Sequence, residues 1–116
     1  MSYYSENELE ALAITNPKEL SKILSSPNGD VNTLTFGAEL LGGEVKDESL
    51  VLPPLRMLLK HINAVVREGA MIGVSAFYSD KSLPPSDILD KLKMISNSDP
   101  SPVLREYAKG LLDDFK

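Results

Sequence analysis

The chain contains no cysteine and no tryptophan, and His61 is its only histidine. Without cysteine, no disulfide, thiolate metal site or cysteine nucleophile can form, and we predict no metal site and no cofactor. Lys and Arg number 12 against 17 Asp and Glu, which gives a formal net charge of −5. This shortage of cations disfavours nucleic acid as a partner, because phosphate binding depends on clustered Lys and Arg. A protein with a basic surface is the more natural partner.

Long apolar runs are also missing. The longest candidate, residues 70–77, is far shorter than the roughly 20 residues that a membrane-spanning helix needs. The first residues show no basic stretch followed by an apolar run, and position 2 is serine, so we predict no signal peptide and no myristoylation site. We therefore expect a cytoplasmic protein without a membrane partner.

The sequence has an ordinary globular composition, with 42% hydrophobic residues in a chain of 116. This is enough apolar surface for a single domain spanning residues 1–116. Apolar residues recur at helical spacing between breaks rich in Gly, Pro, Asn and Ser, and strict two-residue alternation is nearly absent. The exception, residues 31–36, continues into helical spacing, so we predict helix there as well.

Capping signals divide the chain into about seven short helices. Ser5 with Glu8 forms a capping-box pattern, and Asn16 before a proline is a good helix start. Asp47 and the two Leu-Pro-Pro sequences at residues 52–54 and 83–85 are expected to open further helices, since proline is tolerated in a first turn. Glycines 42 and 43 are expected to end a helix with positive φ.

Three of these helices share one pattern around a small residue. The pattern reads Leu34-x3-Ala38-x2-Leu41, Val66-x3-Ala70-x2-Gly73 and Leu104-x3-Ala108-x2-Leu111, with the alanines 32 and 38 residues apart. Each of the three follows another amphipathic helix, so we predict helix pairs at about residues 16–43, 47–78 and 83–116, with a capping helix at 5–14. A repeated pair of this kind is typical of an α-solenoid, and small side chains let stacked helices approach.

Two segments resemble HEAT and HEAT-like repeats. Residues 83–108 combine a proline-opened first helix, an Asp-Pro turn and a Val-x-Arg-x-x-Ala second helix, and residues 52–70 are similar. The resemblance implies an all-α protein, a right-handed α-solenoid of about three HEAT-like helix pairs. It also implies that the ridge of second helices binds another protein and that the chain is not an enzyme.

Positions between the buried ones on that ridge are predicted to face outward and bind the partner: Asn32, Thr35, Glu39, Arg67, Glu68, Met71, Ser75, Arg105, Glu106 and Lys109. Tyr78, which ends the fifth helix, is also a predicted partner-binding residue, because aromatic side chains are enriched among interface anchors, and a place in the core is its alternative. The two arginines have an alternative, structural role, in which they pair with the turn or with neighbouring carboxylates such as Asp99. His61 lies at a junction between helices, where a turn or cap role is expected rather than a catalytic one. We predict no catalytic residue.

The most concrete functional interpretation is a small acidic inhibitor, similar to bacterial immunity proteins that neutralise a basic toxin or nuclease domain. Negative potential would steer a cationic partner and speed its association. The main alternative is an adaptor or scaffold subunit of a larger assembly. Two further alternatives are a HEAT-like nucleic-acid enzyme, similar to alkylpurine DNA glycosylases, and a protein that binds a small molecule between its helices.

Overall fold

The computed structural model describes residues 4–26, 29–79 and 83–115, and these residues form an all-helical structure. Residues 1–3 and Lys116, which the predicted domain includes, lie outside the described residues. The helices are α1 (Glu6–Thr15), α2 (Pro17–Leu24), α3 (Val31–Glu44), α4 (Glu48–Leu58), α5 (Ala64–Phe77), α6 (Ser86–Ser98) and α7 (Pro102–Asp114). The all-α class is therefore confirmed, and the strand-like segment lies in α3. None of these helices is long and apolar enough to cross a membrane.

Local capping sets where several helices begin. The Ser5 hydroxyl accepts from the Glu8 amide at 3.1 Å, and the Glu8 carboxylate accepts from the Ser5 amide at 2.9 Å. This is the predicted capping box at the start of α1. Asn16 caps α2 through the amide of Glu19, and the first residue of α2 is a proline, as expected.

The chain divides into two compact units, residues 1–77 and residues 78–116. In the first unit α3 is central, because it packs against α1, α2, α4 and α5, and most extensively against α5. The α2 helix also packs against α4. The second unit consists of α6 packed against α7.

A cross-helix hydrogen bond compensates for proline inside α4. Pro53 and Pro54 lie within this helix, which begins at its N-cap Asp47, so the prediction that the prolines open it is wrong. Proline has no N–H, and Pro54 therefore leaves the carbonyl of Leu50 without its helical donor. The hydroxyl of Ser21, on α2, donates to this carbonyl at 2.7 Å. The bond satisfies the interrupted ladder and ties α2 to α4.

Glycine brings α3 and α5 together backbone to backbone. A Cβ at position 69 would lie 2.7 Å from the carbonyl oxygen of Thr35, and a Cβ at position 73 would overlap the carbonyl of Ala38. A side chain at Gly42 would in turn overlap the carbonyl of Gly73. Residues three and four apart share one helix face, so these contacts form one continuous stripe of small residues between α3 and α5.

This contact corrects the prediction for glycines 42 and 43. The α3 helix continues through both residues to Glu44, and no described glycine has positive φ. Gly42 is instead required by the close approach of α5, where only a hydrogen atom fits. Gly43 has open space around its Cβ position, so the same packing argument does not apply to it.

Candidate functional site

A depression of about 470 Å³ lies between α1 and α3. Its floor is apolar, since it includes the buried side chain of Leu9 and the half-buried side chain of Phe36. Its lining residues are Tyr4, Ser5, Glu6, Leu9, Asn32, Thr35, Phe36 and Glu39, and none of these is basic. The depression therefore combines an apolar base with a polar, acidic rim.

A second depression of about 280 Å³ lies between the C-terminal halves of the same two helices. It is lined by Glu10, Ile14, Leu40 and Glu44. On both helices the first depression is lined by earlier residues than the second, so α1 and α3 run in the same direction. Glu6, Glu10 and Ile14 follow one another at four-residue intervals and therefore lie along one side of α1. We call the surface formed by the linings of the two depressions the α1–α3 seam.

The α1–α3 seam is acidic because its two helices contain carboxylates and no cations. The α1 helix has three glutamates, α3 has two, and neither has Lys or Arg. Four of these five side chains line the seam, namely Glu6, Glu10, Glu39 and Glu44. The neighbouring α2 helix, by contrast, has two lysines and one glutamate. Charge of one sign is thus concentrated on one surface of the first unit, where it attracts cations.

Glu39 lies where this negative charge is least well solvated. Burial raises the pKa of the Glu39 carboxyl above its ordinary value of 4.5, and the Glu68 carboxylate on α5 raises that pKa further. One turn earlier on α3, the Thr35 hydroxyl oxygen is buried without a hydrogen-bond partner. A cation beside Glu39 and Glu68 would remove their repulsion and stabilise both in the charged form.

The structure brings four of the predicted partner-binding residues together. Asn32, Thr35 and Glu39 line the first depression, and Glu68 adds its charge to Glu39. Ser75 is half-buried on α5. The other six predicted residues do not line either depression.

The two predicted arginines hold turns. The Arg67 guanidinium donates to the carbonyls of His61 at 2.8 Å and Ile62 at 3.0 Å. Arg105 donates in the same way to the carbonyl of Asp99. These bonds to the backbone of the turns correspond to the structural alternative.

The side chains of His61 and Asp99 also bond within these turns. His61 accepts through Nδ1 from the amide of Asn63 at 3.0 Å, and Asp99 accepts through Oδ1 from the amide of Ser101 at 2.9 Å. The expected turn role of His61 is therefore confirmed. Both turns use the same three positions, 38 residues apart, for the acceptor, the cap and the arginine.

Two of the predicted contact residues are buried. Met71 has no accessible surface, so the expectation that it faces outward is wrong, and Tyr78 is only 4% exposed, which corresponds to its core alternative. The physical reason at Met71 is that α5 is covered around most of its circumference, and positions between its core residues are covered as well. Glu106 and Lys109 do face solvent, on α7 of the second unit, where they form an ion pair at 3.5 Å.

The α1 helix, predicted only as a capping helix, contributes to the seam. Glu10 and Ile14 line the seam, and the Ile14 side chain is 76% exposed. Two signals in the sequence point to this role. The helix has three glutamates without a cation, and Ile14 does not share the face formed by Leu9 and Ala13, which are buried.

Within the described ranges, no group of three or more His, Asp or Glu side chains is arranged to hold a metal ion. Comparison with protein-family models, with curated proteins and with solved structures finds no match for this chain. The geometry and charge of the α1–α3 seam are therefore the basis on which its function is inferred.

Proposed function

We propose that this chain is a non-enzymatic protein-binding module that binds a basic partner protein at the α1–α3 seam. The observation that carries the proposal is the rim of Glu6, Glu10, Glu39 and Glu44 around an apolar floor, on two helices without Lys or Arg. Carboxylates steer a cationic partner to the surface and set its orientation. The apolar floor then contributes area that is removed from water on contact.

In its most concrete form, the module is an inhibitor that neutralises a basic toxin or nuclease domain. An inhibitor of such an enzyme must reach its target quickly, and a surface of opposite charge raises the association rate. The net charge of −5 and the four carboxylates that line the α1–α3 seam support this role.

An adaptor or scaffold subunit is the second candidate function. It is supported by a pair of exposed apolar side chains outside the seam, at the turn between α4 and α5. Ile62 is 94% exposed and Val65 is 51% exposed. Ile62 lies just before α5 and Val65 lies in its first turn, and exposed apolar surface is typical of protein contacts.

We propose a HEAT-like, right-handed α-solenoid as the finer architecture. Within the first unit, first helix packs on first helix (α2 on α4) and second on second (α3 on α5), the stacking pattern of such repeats. The equivalent hydrogen bonds of Arg67 and Arg105 support the same repeat across the two units.

An inhibition assay tests the proposed function. Purified basic nuclease domains and acidic nucleases of similar size are assayed with and without the full chain, and binding is measured by biolayer interferometry. We expect binding and inhibition of a basic nuclease only, weaker at about 0.15 M salt than at about 0.01 M, because the screening length falls from about 30 to about 8 Å.

Variants that each remove one negative charge test whether the partner binds at the seam. Glu39→Gln and Glu10→Gln are expected to reduce the association rate several-fold, whereas Asp90→Asn, an exposed carboxylate on α6, serves as the control. Binding without inhibition would favour the adaptor over the inhibitor. Equal binding of basic and acidic proteins, or binding that is independent of salt, would contradict the proposal.

A further inference from the structure

We infer that the α1–α3 seam receives an amphipathic helix of the partner, with basic residues along its flanks and apolar residues along its base. This inference rests on the proposed function and names the partner's chemistry at the same site. A flexible cationic tail would use the charge of the seam but leave its apolar floor in water.

The apolar side chains form a continuous strip along the seam. Phe36 and Leu40 are one turn apart on α3, and both are half-buried. Ile14, across from Leu40 in the second depression, is 76% exposed. More apolar area is removed from water when a partner covers this strip with an apolar face than when it covers the strip with polar side chains.

Carboxylates lie on both sides of the strip. Glu6 and Glu10 are one turn apart on α1, whereas Glu39 and Glu44 are five residues apart on α3 and lie on opposite sides of the apolar side chains of that helix. A helix lying along the seam would present Lys or Arg at intervals of three or four residues to Glu6 and Glu10, the spacing at which helical side chains share a face, and single cations to Glu39 and Glu44. Helix-in-groove recognition uses the same intervals for its apolar anchors.

The dimensions of the seam fit a helix of a few turns. The stretch from Asn32 to Glu44 along α3 is about 18 Å long at 1.5 Å per residue, which corresponds to roughly twelve residues of an incoming helix. The described ranges contain no strand, so they offer no sheet edge to which an extended peptide could add. A second copy of this chain is disfavoured as the occupant, because each copy has a net charge of −5.

Two synthetic peptides test the inference. The first is a dye-labelled peptide of Leu and Lys, roughly fourteen residues long and about 21 Å as a helix, with all leucines on one face. The second has the same composition in an order that has no apolar face. Fluorescence anisotropy with the full chain is expected to show at least tenfold tighter binding of the first peptide, which should also gain helical circular dichroism when bound.

Variants of the full chain distinguish the contribution of the apolar floor to peptide binding from that of the acidic rim. Ile14→Ser, at an exposed position, is expected to weaken the amphipathic peptide several-fold and to leave the reordered peptide unchanged. Glu10→Gln should weaken both peptides, and Glu19→Gln on α2, outside the seam, should weaken neither.

The outcomes separate this inference from the proposed function. Equal binding of the two peptides, or no effect of Ile14→Ser on the amphipathic peptide, would overturn the inference of a helical occupant but not the proposal of a basic partner. If neither peptide binds and no basic protein binds, both proposals fail. Binding of basic proteins without binding of either peptide would also overturn the helical occupant.

Discussion

The helix pair α4–α5 in the first unit and the pair α6–α7 in the second share a turn but differ in their helix faces. In each turn an arginine donates to a carbonyl six residues earlier, from Arg67 to His61 and from Arg105 to Asp99. In each, the residue two positions after that carbonyl caps the second helix. The local sequence is therefore sufficient to build the same turn twice.

The faces of the second helices are different. Gly69 and Gly73 on α5 lie against the backbone of α3, whereas Tyr107 and Leu111 occupy the corresponding positions on α7. Glycine on α5 permits a close backbone approach that a tyrosine and a leucine would prevent. The turn and the spacing between helices are therefore set by separate residues, so the turn can repeat where the spacing does not.

The largest effect is expected from breaking the close approach. Gly73→Ala places a methyl group where it overlaps the carbonyl of Ala38, and backbone cannot move aside as a side chain can. We expect a loss of about 3 kcal/mol in the free energy of unfolding, measured by urea denaturation with circular dichroism. Gly110→Ala on α7 is the control, since its Cβ would meet open space, and it should stabilise by about 0.5–1 kcal/mol. Equal stability of the two variants would refute the glycine contact.

The second prediction concerns the first helix of each pair, because α4 contains two prolines and α6 contains none. Ser21→Ala removes the donor to the Leu50 carbonyl and should cost about 2 kcal/mol, the desolvation penalty of an unpaired polar group. Pro54→Ala restores an N–H for the same carbonyl. The cost of Ser21→Ala should therefore fall in the Pro54→Ala background, as a double-mutant cycle by urea denaturation would detect. Additive losses would show that the hydroxyl does not replace the missing amide.

The same Leu-Pro-Pro sequence lies within α4 and directly before α6, and the local pattern predicts a helix start at both places. It was correct at residues 83–85, which precede α6, and wrong at residues 52–54, which lie inside α4. Proline is expected in a first turn, where amides need no helical partner, and only there can a local rule place it. Inside α4 it is tolerated because Ser21, on another helix, supplies the missing donor.

The candidate site shows the same division between local and tertiary information. Periodicity predicted an outward position for Asn32, Thr35 and Glu39, and all three line the first depression, although the Thr35 hydroxyl is buried. It could not place α1 beside them, because α1 and α3 are separate in sequence and only packing makes their faces adjacent. The burial of Met71 was missed for a related reason, since a helix covered on most sides has no simple outward stripe.

The third prediction tests whether the two turns are energetically equivalent. Arg67→Met and Arg105→Met keep most of the aliphatic stem and remove the donor to the turn carbonyls. Each variant should lose about 1.5–3 kcal/mol of unfolding free energy, because Arg67→Met removes two hydrogen bonds of a charged guanidinium and Arg105→Met removes one, both at half-buried sites. Lys109→Met, which removes an exposed cation from α7, is the control and should change stability by less than about 0.5 kcal/mol. A large loss in only one turn would break the equivalence.

The smallest effect is expected at two equivalent glutamates, one beside a negative side chain and the other beside a positive one. Glu68 and Glu106 are 38 residues apart, at equivalent positions of α5 and α7. Glu68 raises the pKa of Glu39, whereas Glu106 pairs with Lys109 at 3.5 Å. At neutral pH, Glu68→Gln should therefore stabilise the fold and Glu106→Gln should destabilise it. Each change should be below about 1 kcal/mol.

The pH dependence of Glu68→Gln distinguishes charge repulsion from packing. Because the pKa of Glu39 is raised in the folded state, that state binds the proton more tightly than the unfolded chain. The stability linked to Glu39 is thus greatest below its ordinary value of 4.5 and is lost as the pH rises through the folded pKa. Urea midpoints should show the gain from Glu68→Gln at pH values well above the folded pKa of Glu39 and little gain below 4.5, where Glu39 is neutral. A gain that persists at low pH would mean that the amide improves packing, and that Glu68 and Glu106 do not differ through charge.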